Sequence, residues 1–408
     1  MRAAALVRAL GLGLALAGGA ATAQTCRAAY DRAPPAVNAC GDDRRVTLAF
    51  VGDVLLHSPL QRQAYAAGFG TLWSAAAPFL READLAVANL EGPVATGLAL
   101  SGFRGDPGAV FDGTVHSSYP LFNYHASLLP ALRDLGIDAV STANNHALDR
   151  FSAGADATID ALEAAGLPHS GTIRTGAPRD FVLHLPSALG RIALLSCTFS
   201  TNGVPDPGRQ ALNCFADRDE VMAAIRAEAA RPGVAGVIVL PHWGVEYTHV
   251  PGQAERALAA EMAAAGAMAV IATHPHVVQP VETVPGPSGA VPVAYSTGNF
   301  VSGQVGLARQ TGMLLRIGIC LAAPEGDLAL GLGARAAVAE LGWVALAMVR
   351  GAGRELAVAD EGGVAPAARA AHDLVERIVP GRALMPRLVC DGDGPFAAGS
   401  ADLPALLQ

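Results

Sequence analysis

VTLAFVGDVLLH, residues 46–57, is the stretch whose reading decides the fold. Its first seven residues, VTLAFVG, carry no charge and no alternating polar pattern, and they run directly into a Gly-Asp turn. A short apolar run with β-branched and aromatic side chains, closed by a turn signal, reads as a strand buried on both faces. The pattern recurs in DLAVANL (84–90), IDAVSTA (137–143), VAGVIVL (234–240) and AMAVIAT (267–273). Between these strands, residues 71–83, 126–136, 153–165, 217–230 and 253–265 have helical spacing. Strands alternating with helices predict an α/β domain. VLHL (182–185) and RIALLSC (191–197) read as a hairpin, and PVAYST (292–297) and MLLRIGICLA (313–322) add further strands, so the sheet is expected to be mixed.

Outward from this frame the chain divides by composition. Arg2 and Arg8 flank an apolar stretch, residues 9–20, followed by Ala21-Thr22-Ala23, so residues 1–23 read as a cleaved signal peptide. Residues 24–45 read as an N-terminal arm, 46–322 as the main domain, and 323–408 as a C-terminal extension packed on it, with a strand-like run at 343–349 and a helix at 366–378. Residues 97–124 lack a period and read as a long surface insertion, which in a compact domain is usually functional.

The chain has 408 residues, 51% hydrophobic and 16% charged, with a formal net charge of -8. That is a globular composition with no general attraction to polyanions, and no basic patch interleaved with aromatics occurs, so nucleic acid is excluded as a partner. Localisation is expected beyond the inner membrane, in the periplasm or outside the cell. Six cysteines in an exported chain suggest disulfides. Pairing by sequence proximity joins Cys26 to Cys40 and Cys197 to Cys214 and leaves Cys320 with Cys390; buried free thiols at Cys197 and Cys320 are the alternative.

Metal-ligand residue types recur at the ends of the buried strands. Asp53 and His57 follow the first, Glu91 the second, Asn144-Asn145-His146 the third, His242 the fourth and His274-Pro275-His276 the fifth. Loops at the carboxyl ends of strands in open α/β sheets share one crevice, so the five groups should converge. Any one alone is more simply a cap, a turn residue or a structural histidine. Pro275 biases His274 toward extended geometry, in which His274 and His276 share a side. Asp53 and Glu91 bring two negative charges, while the imidazoles and the Asn145 carboxamide add neutral donors. Two divalent ions would leave a positive locus suited to an anionic substrate, and the mixed O/N donor set points to manganese, iron or zinc. Six other histidines, at positions 116, 125, 169, 184, 249 and 372, read as structural.

The segments GDVLLH (52–57), NLEGP (89–93), STANNHALD (141–149), PHWGVEY (241–247), THPHVVQPVE (273–282) and YSTGNF (295–300) resemble, in order, the serial motifs of the CapA family of capsule and poly-γ-glutamate synthesis proteins, relatives of the calcineurin-like metallophosphoesterases. The resemblance covers roughly residues 46–320. It implies a layered αββα metallophosphoesterase-like β-sandwich, mixed sheets flanked by helices. It also implies roles: Asp53 as the first acidic ligand, Glu91 as the bridging carboxylate, Asn145 as a ligand, His242 and His274 on the second metal, and His276 on the first. His146 corresponds to a general acid; Asp149, read from its position alone, either orients His146 through a hydrogen bond or serves as a cap. His57 stands four residues after Asp53, where phosphoesterases use Asp-x-His. Asn299 matches a family position that either contacts substrate or supports a ligand.

These features lead to two expectations. One is an exported two-metal hydrolase or transferase acting on an anionic envelope polymer, of poly-γ-glutamate type, or on a phosphoester. The other is a non-catalytic, metal-retaining accessory subunit of a polymer-synthesis membrane complex.

Overall fold

In the computed structural model the described residues are 26–30, 32–41, 43–321, 335–351, 353–360 and 365–390. The signal peptide expected at 1–23 lies outside them. Two units are present. The larger, Arg27–Leu388, holds the α/β core. The smaller contains, among described residues, Cys26, Val389 and Cys390, and the Cys26–Cys390 disulfide lies within it.

Two mixed sheets form the larger unit. One has the strand order Arg354–Val358, Ala336–Arg350, Thr311–Leu321, Val46–Leu55, Leu85–Leu90, Ala139–Ser141 and His169–Ser170, with Asn299–Ser302 pairing beside Val46–Leu55. The other runs Val281–Gly286, Gly289–Ala294, Ala267–Ile271, Val234–His242, Gly190–Thr198 and Val182–Ser187. Within each, parallel pairs at one part adjoin antiparallel pairs at another.

Alternation along the strands explains the layering. Leu48 and Phe50 join Leu194, Ile238, Leu240 and Ile317 in the core between the sheets. Ala49, Val51 and Val54 point the other way, onto Leu60, Leu72, Phe79 and Leu128 beneath the outer helices. On the far face of the second sheet, Val237 and Val239 pack with Val221, Ile225, Leu258 and Met262 from the helices Arg218–Ala230 and Gln253–Ala265. Helices therefore cover both outer faces, as expected for a layered α/β sandwich. Both faces of the central strands are buried, which is why they read as unbroken apolar runs. The helix Leu128–Leu135 illustrates the local logic: Leu128, Leu132 and Leu135 recur on one face, and Gly136 ends the helix at φ 110°.

Local departures from the sequence reading have clear causes. Residues 71–83 are not one helix; they break into Gly70–Trp73, a 3₁₀ turn at Ser74–Ala76 and Ala77–Leu80, because Pro78 lacks the N–H needed inside a continuous helix. Ser58–Ala67 is a helix with Pro59 in its first turn. The strand-like run at 343–349 is part of a longer strand, Ala336–Arg350, hydrogen-bonded along Thr311–Leu321. No helix among the described residues is long and apolar enough to cross a membrane.

The cysteine pairing differs from the sequence-local expectation. Cys197–Cys214 is formed, but Cys26 pairs with Cys390 and Cys40 with Cys320. Backbone pairing overrides proximity: Gly41 N–H donates to Leu321 O, laying the arm beside the strand that carries Cys320. No described cysteine is free. The Cys40–Cys320 bridge spans 280 residues and Cys197–Cys214 spans 17. Loop-closure entropy therefore predicts that Cys40→Ser with Cys320→Ser destabilises by about 5 kcal/mol, against about 3 kcal/mol for Cys197→Ser with Cys214→Ser. Denaturant unfolding of the two double variants measures the difference, and the reverse ranking would contradict the entropic account.

Candidate metal centre

Each site residue is fixed by the strand or turn that carries it. Asp53 lies inside the strand Val46–Leu55 rather than after it, in register with Asn89 on one side and Asn299 on the other. Gly52 is required beside it, since a Cβ there would fall 1.7 Å from the Gly298 carbonyl oxygen. Glu91 follows Leu85–Leu90 directly, and its backbone is pinned by the Tyr124 hydroxyl, which donates to Glu91 O at 2.6 Å. His242 is the last residue of Val234–His242.

His274 and His276 depart from the expected extended geometry. They have φ values of 103° and 56°, in the left-handed region that L side chains avoid. Their rings still approach, with centroids 5.9 Å apart. Proximity thus comes from a strained turn around Pro275 and not from a strand's two-residue period. Strain of this kind persists where surrounding structure enforces it, and it concentrates at functional sites.

These residues converge. The ligating atoms of Asp53, Glu91 and His276 lie within 4.8 Å of one another, and so do those of Glu91, His242 and His274. Glu91 belongs to both groups. Asn145 Oδ1 lies 2.9 Å from His242 Nε2. Glu91 is fully buried, yet neither carboxylate oxygen has a hydrogen-bond partner, and His274 Nδ1 is likewise unpartnered. A buried carboxylate left so is costly unless a cation completes it. Carboxylate, imidazole and carboxamide donors suit first-row divalent ions, so these side chains fit the metal ions expected of them.

The clustered charges shift one another strongly. Burial opposes charge on His276, but the carboxylates of Glu91 and Asp53 outweigh it and lift its pKa to about 9. Burial, then the neighbouring His242 and His276, push His274 down to about 2. Burial favours the neutral form of Glu91, while His276 and His242 hold its carboxyl well below the usual range. His276 Nδ1–H donates to Asp53 Oδ2 at 3.1 Å and Asn299 Oδ1 at 3.0 Å, which orients its Nε2 toward Glu91. An imidazole anchored through one nitrogen is the usual arrangement around metal ligands.

Next to the two groups sits a hydrogen-bonded pair. His146 Nδ1 donates to Asp149 Oδ2 at 2.7 Å, and the same oxygen accepts from Phe122 N–H at 2.6 Å. Burial disfavours a charged His146, but the Asp149 hydrogen bond and charge prevail and raise its pKa. Asp149 gives its Oδ2 to His146 and Phe122 and its Oδ1 has no hydrogen-bond partner, so it makes no cap bond to the following helix, Phe151–Ala165. The Phe122 ring meets His146 edge-on at 4.8 Å and His57 at 5.4 Å. Phe122 comes from the long insertion, which is tied down by the buried Arg150 through Ser117 Oγ at 2.6 Å and the Phe122 carbonyl at 3.3 Å.

Two expected site residues sit differently. His57 belongs to neither group; its Nδ1 contacts Leu55 O and Gly303 N, both at 3.2 Å. The Asn299 amide is engaged by protein partners, donating to Arg309 O at 2.8 Å and accepting from His276 at 3.0 Å. Four further residues, given no role from the sequence, support the centre. Asn89 donates to Asp53 Oδ1 at 2.8 Å, Asn144 donates to Leu90 O at 2.7 Å, and Thr273 Oγ1 lies 2.8 Å from His242 Nδ1. Glu246 groups with His274 and His276 within 4.8 Å. Asn89 and Glu246 stand inside segments already marked by neighbouring ligand types, which was the available signal. Of the six remaining histidines, His249 bonds Val278 O at 2.7 Å and His184 bonds Glu228 at 2.7 Å, while the His372 ring lies 5.3 Å from that of Trp343.

Fold and site together define a class: a layered two-sheet α/β protein with a buried carboxylate–imidazole–carboxamide centre at strand ends. Residues 47–304 match the bacterial capsule synthesis protein family PGA_cap, and the chain belongs to that family. The capsule biosynthesis protein CapA of Bacillus anthracis is 26% identical over 270 residues, covering 64% of this chain and 61% of the relative. The PGA biosynthesis protein CapA of Bacillus subtilis (strain 168) is 25% identical over 288 residues, covering 66% of each. The chain thus matches under two thirds of the length of these curated relatives. Among solved structures, a sulfate thiohydrolase of Thermus thermophilus aligns with a TM-score of 0.39 and 13% identity, over 76% of this chain and 58% of that one.

Proposed function

We propose that this chain is an exported metal-dependent hydrolase or transferase that acts on capsule or envelope polymer of the poly-γ-glutamate type. The observation that carries the reading is Glu91: a fully buried carboxylate with no hydrogen bond, common to two groups of ligand atoms. In this reading Asp53 and His276 would hold one divalent ion, His242, His274 and Asn145 would hold a second, and Glu91 would serve both groups. When bound, two such ions supply Lewis acidity to a substrate oxygen and to its attacking nucleophile. His146, oriented by Asp149, donates a proton to the departing atom. Phe122 excludes water from one side of His146. Three disulfides favour an oxidising compartment, which supports action outside the cytoplasm.

The reading of an accessory subunit that only retains metal is less well supported, because metal retention gives no use for a buried His146–Asp149 pair. Elemental analysis of protein reconstituted with manganese, iron or zinc is the direct test, with about two equivalents expected from the two-ion clamp. Protein that takes up none of the three would end the two-metal reading. A screen of the loaded protein against γ-linked glutamate oligomers and phosphoesters then tests the chemistry, and inactivity on both classes would favour the accessory role.

A further inference from the structure

Beside the metal centre is a cation that the proposed chemistry does not use. The Arg309 guanidinium carbon lies 5.1 Å from the Tyr247 ring centroid, and that ring lies 6.1 Å from the His276 ring. Arg309 forms no side-chain ion pair among the described residues. Glu246, adjacent to Tyr247, groups instead with His274 and His276. Tyr247 is 50% exposed and holds φ 65°, a strained value for a tyrosine. Its N–H donates to Pro275 O at 2.8 Å, and Gln304 Nε2 donates to its hydroxyl at 3.4 Å.

This wall is indexed to the centre by Asn299. Its Nδ2 donates to Arg309 O at 2.8 Å and to Gln304 Oε1 at 3.1 Å, while its Oδ1 accepts from His276 Nδ1 at 3.0 Å. One buried amide therefore sets both His276 and the loop that carries Arg309 and Gln304. An arginine held only by a half-exposed aromatic face gains little stability from that contact, but its planar fork stays available for a carboxylate.

We propose that Arg309, Tyr247 and Gln304 form a substrate subsite that binds a carboxylate flanking the reacting bond, so that the substrate is an acidic polymer strand read beside the metal centre as well as at it. This rests on the polymer-directed reading given above. The subsite would reject a neutral strand of the same length, because desolvating Arg309 without an anion leaves a buried charge unpaired.

The test uses the full mature chain loaded with manganese, a γ-linked glutamate hexamer, and the same hexamer with its side carboxylates amidated. Calorimetric titration of the wild type should show clear preference for the acidic hexamer. Arg309→Ala should weaken that hexamer about tenfold or more, since a hydrogen bond to a charged partner is lost, with Arg309→Lys recovering part of the loss. Binding of the amidated hexamer and metal content should not change. Equal hexamer affinity in wild type and Arg309→Gln, with metal intact, overturns the subsite and leaves the metal reading standing. A wild type that binds acidic and amidated hexamers alike also overturns it. A wild type that holds no metal overturns the underlying reading first, and elemental analysis of the same sample separates the two failures.

Discussion

Replacing Glu91 by leucine should abolish metal uptake and turnover while leaving the metal-free protein about as stable as the metal-free wild type. Without metal, Glu91 is a buried carboxylate whose oxygens find no hydrogen bond, and the nearest imidazole nitrogens, on His242 and His276, are 3.6 and 3.8 Å from Oε1. Glu91 makes no hydrogen bond to His276 or His242, and an imidazole that loses its counter-charge can give up its proton, so exchanging the carboxylate for an apolar group of similar volume should cost the metal-free protein little. With metal the two proteins separate. A ligand that binds only the folded state at a hundred times its Kd stabilises by about 2.7 kcal/mol, and the variant should lose all of it. Thermal unfolding with and without manganese reads both effects: the wild-type midpoint rises with metal and the variant's does not. A metal-free variant several kcal/mol less stable than the metal-free wild type would mean that Glu91 is held by the protein and not kept for a metal ion.

His146→Asn should keep metal content yet lower kcat by about 10²–10⁴-fold, the range of a general acid. The geometry separates His146 from its neighbour: Asn145 Oδ1 turns to His242, whereas His146 turns to Asp149. Substrates with good leaving groups need less protonation, so they should be impaired less. Loss of metal in His146→Asn, comparable to that in His242→Asn, would make His146 a ligand. Unchanged metal and unchanged turnover on a confirmed substrate would remove it from the chemistry altogether.

The legible part of this site consisted of residue types at strand ends. Glu91, Asn145 and His242 could be marked because an apolar run that stops at a polar ligand type needs no tertiary information to be seen. His57 passed the same filter and fell outside the groups, since its side chain turns to Gly303, on a segment far along the chain. The His274–Pro275–His276 rings were expected to meet along an extended strand. They meet across two left-handed residues, because the turn's hydrogen bonds and packing prevail over the local preference set by Pro275. The supporting roles of Asn89, Asn144 and Thr273 were not legible, because asparagine and threonine at strand ends serve turns and caps far more often than ligand support.

By itself the sequence determined the alternation of strands and helices, the burial of the central strands on both faces and the carriers of most site residues, all of which depend on local apolar patterning. The tertiary structure alone decided three things. It made Glu91 common to two ligand groups, paired Cys40 with Cys320 across 280 residues, and set Arg309 beside Tyr247. Each joins segments through strand register or loop packing, and those relations are settled by which surfaces bury together, not by the propensities of either segment.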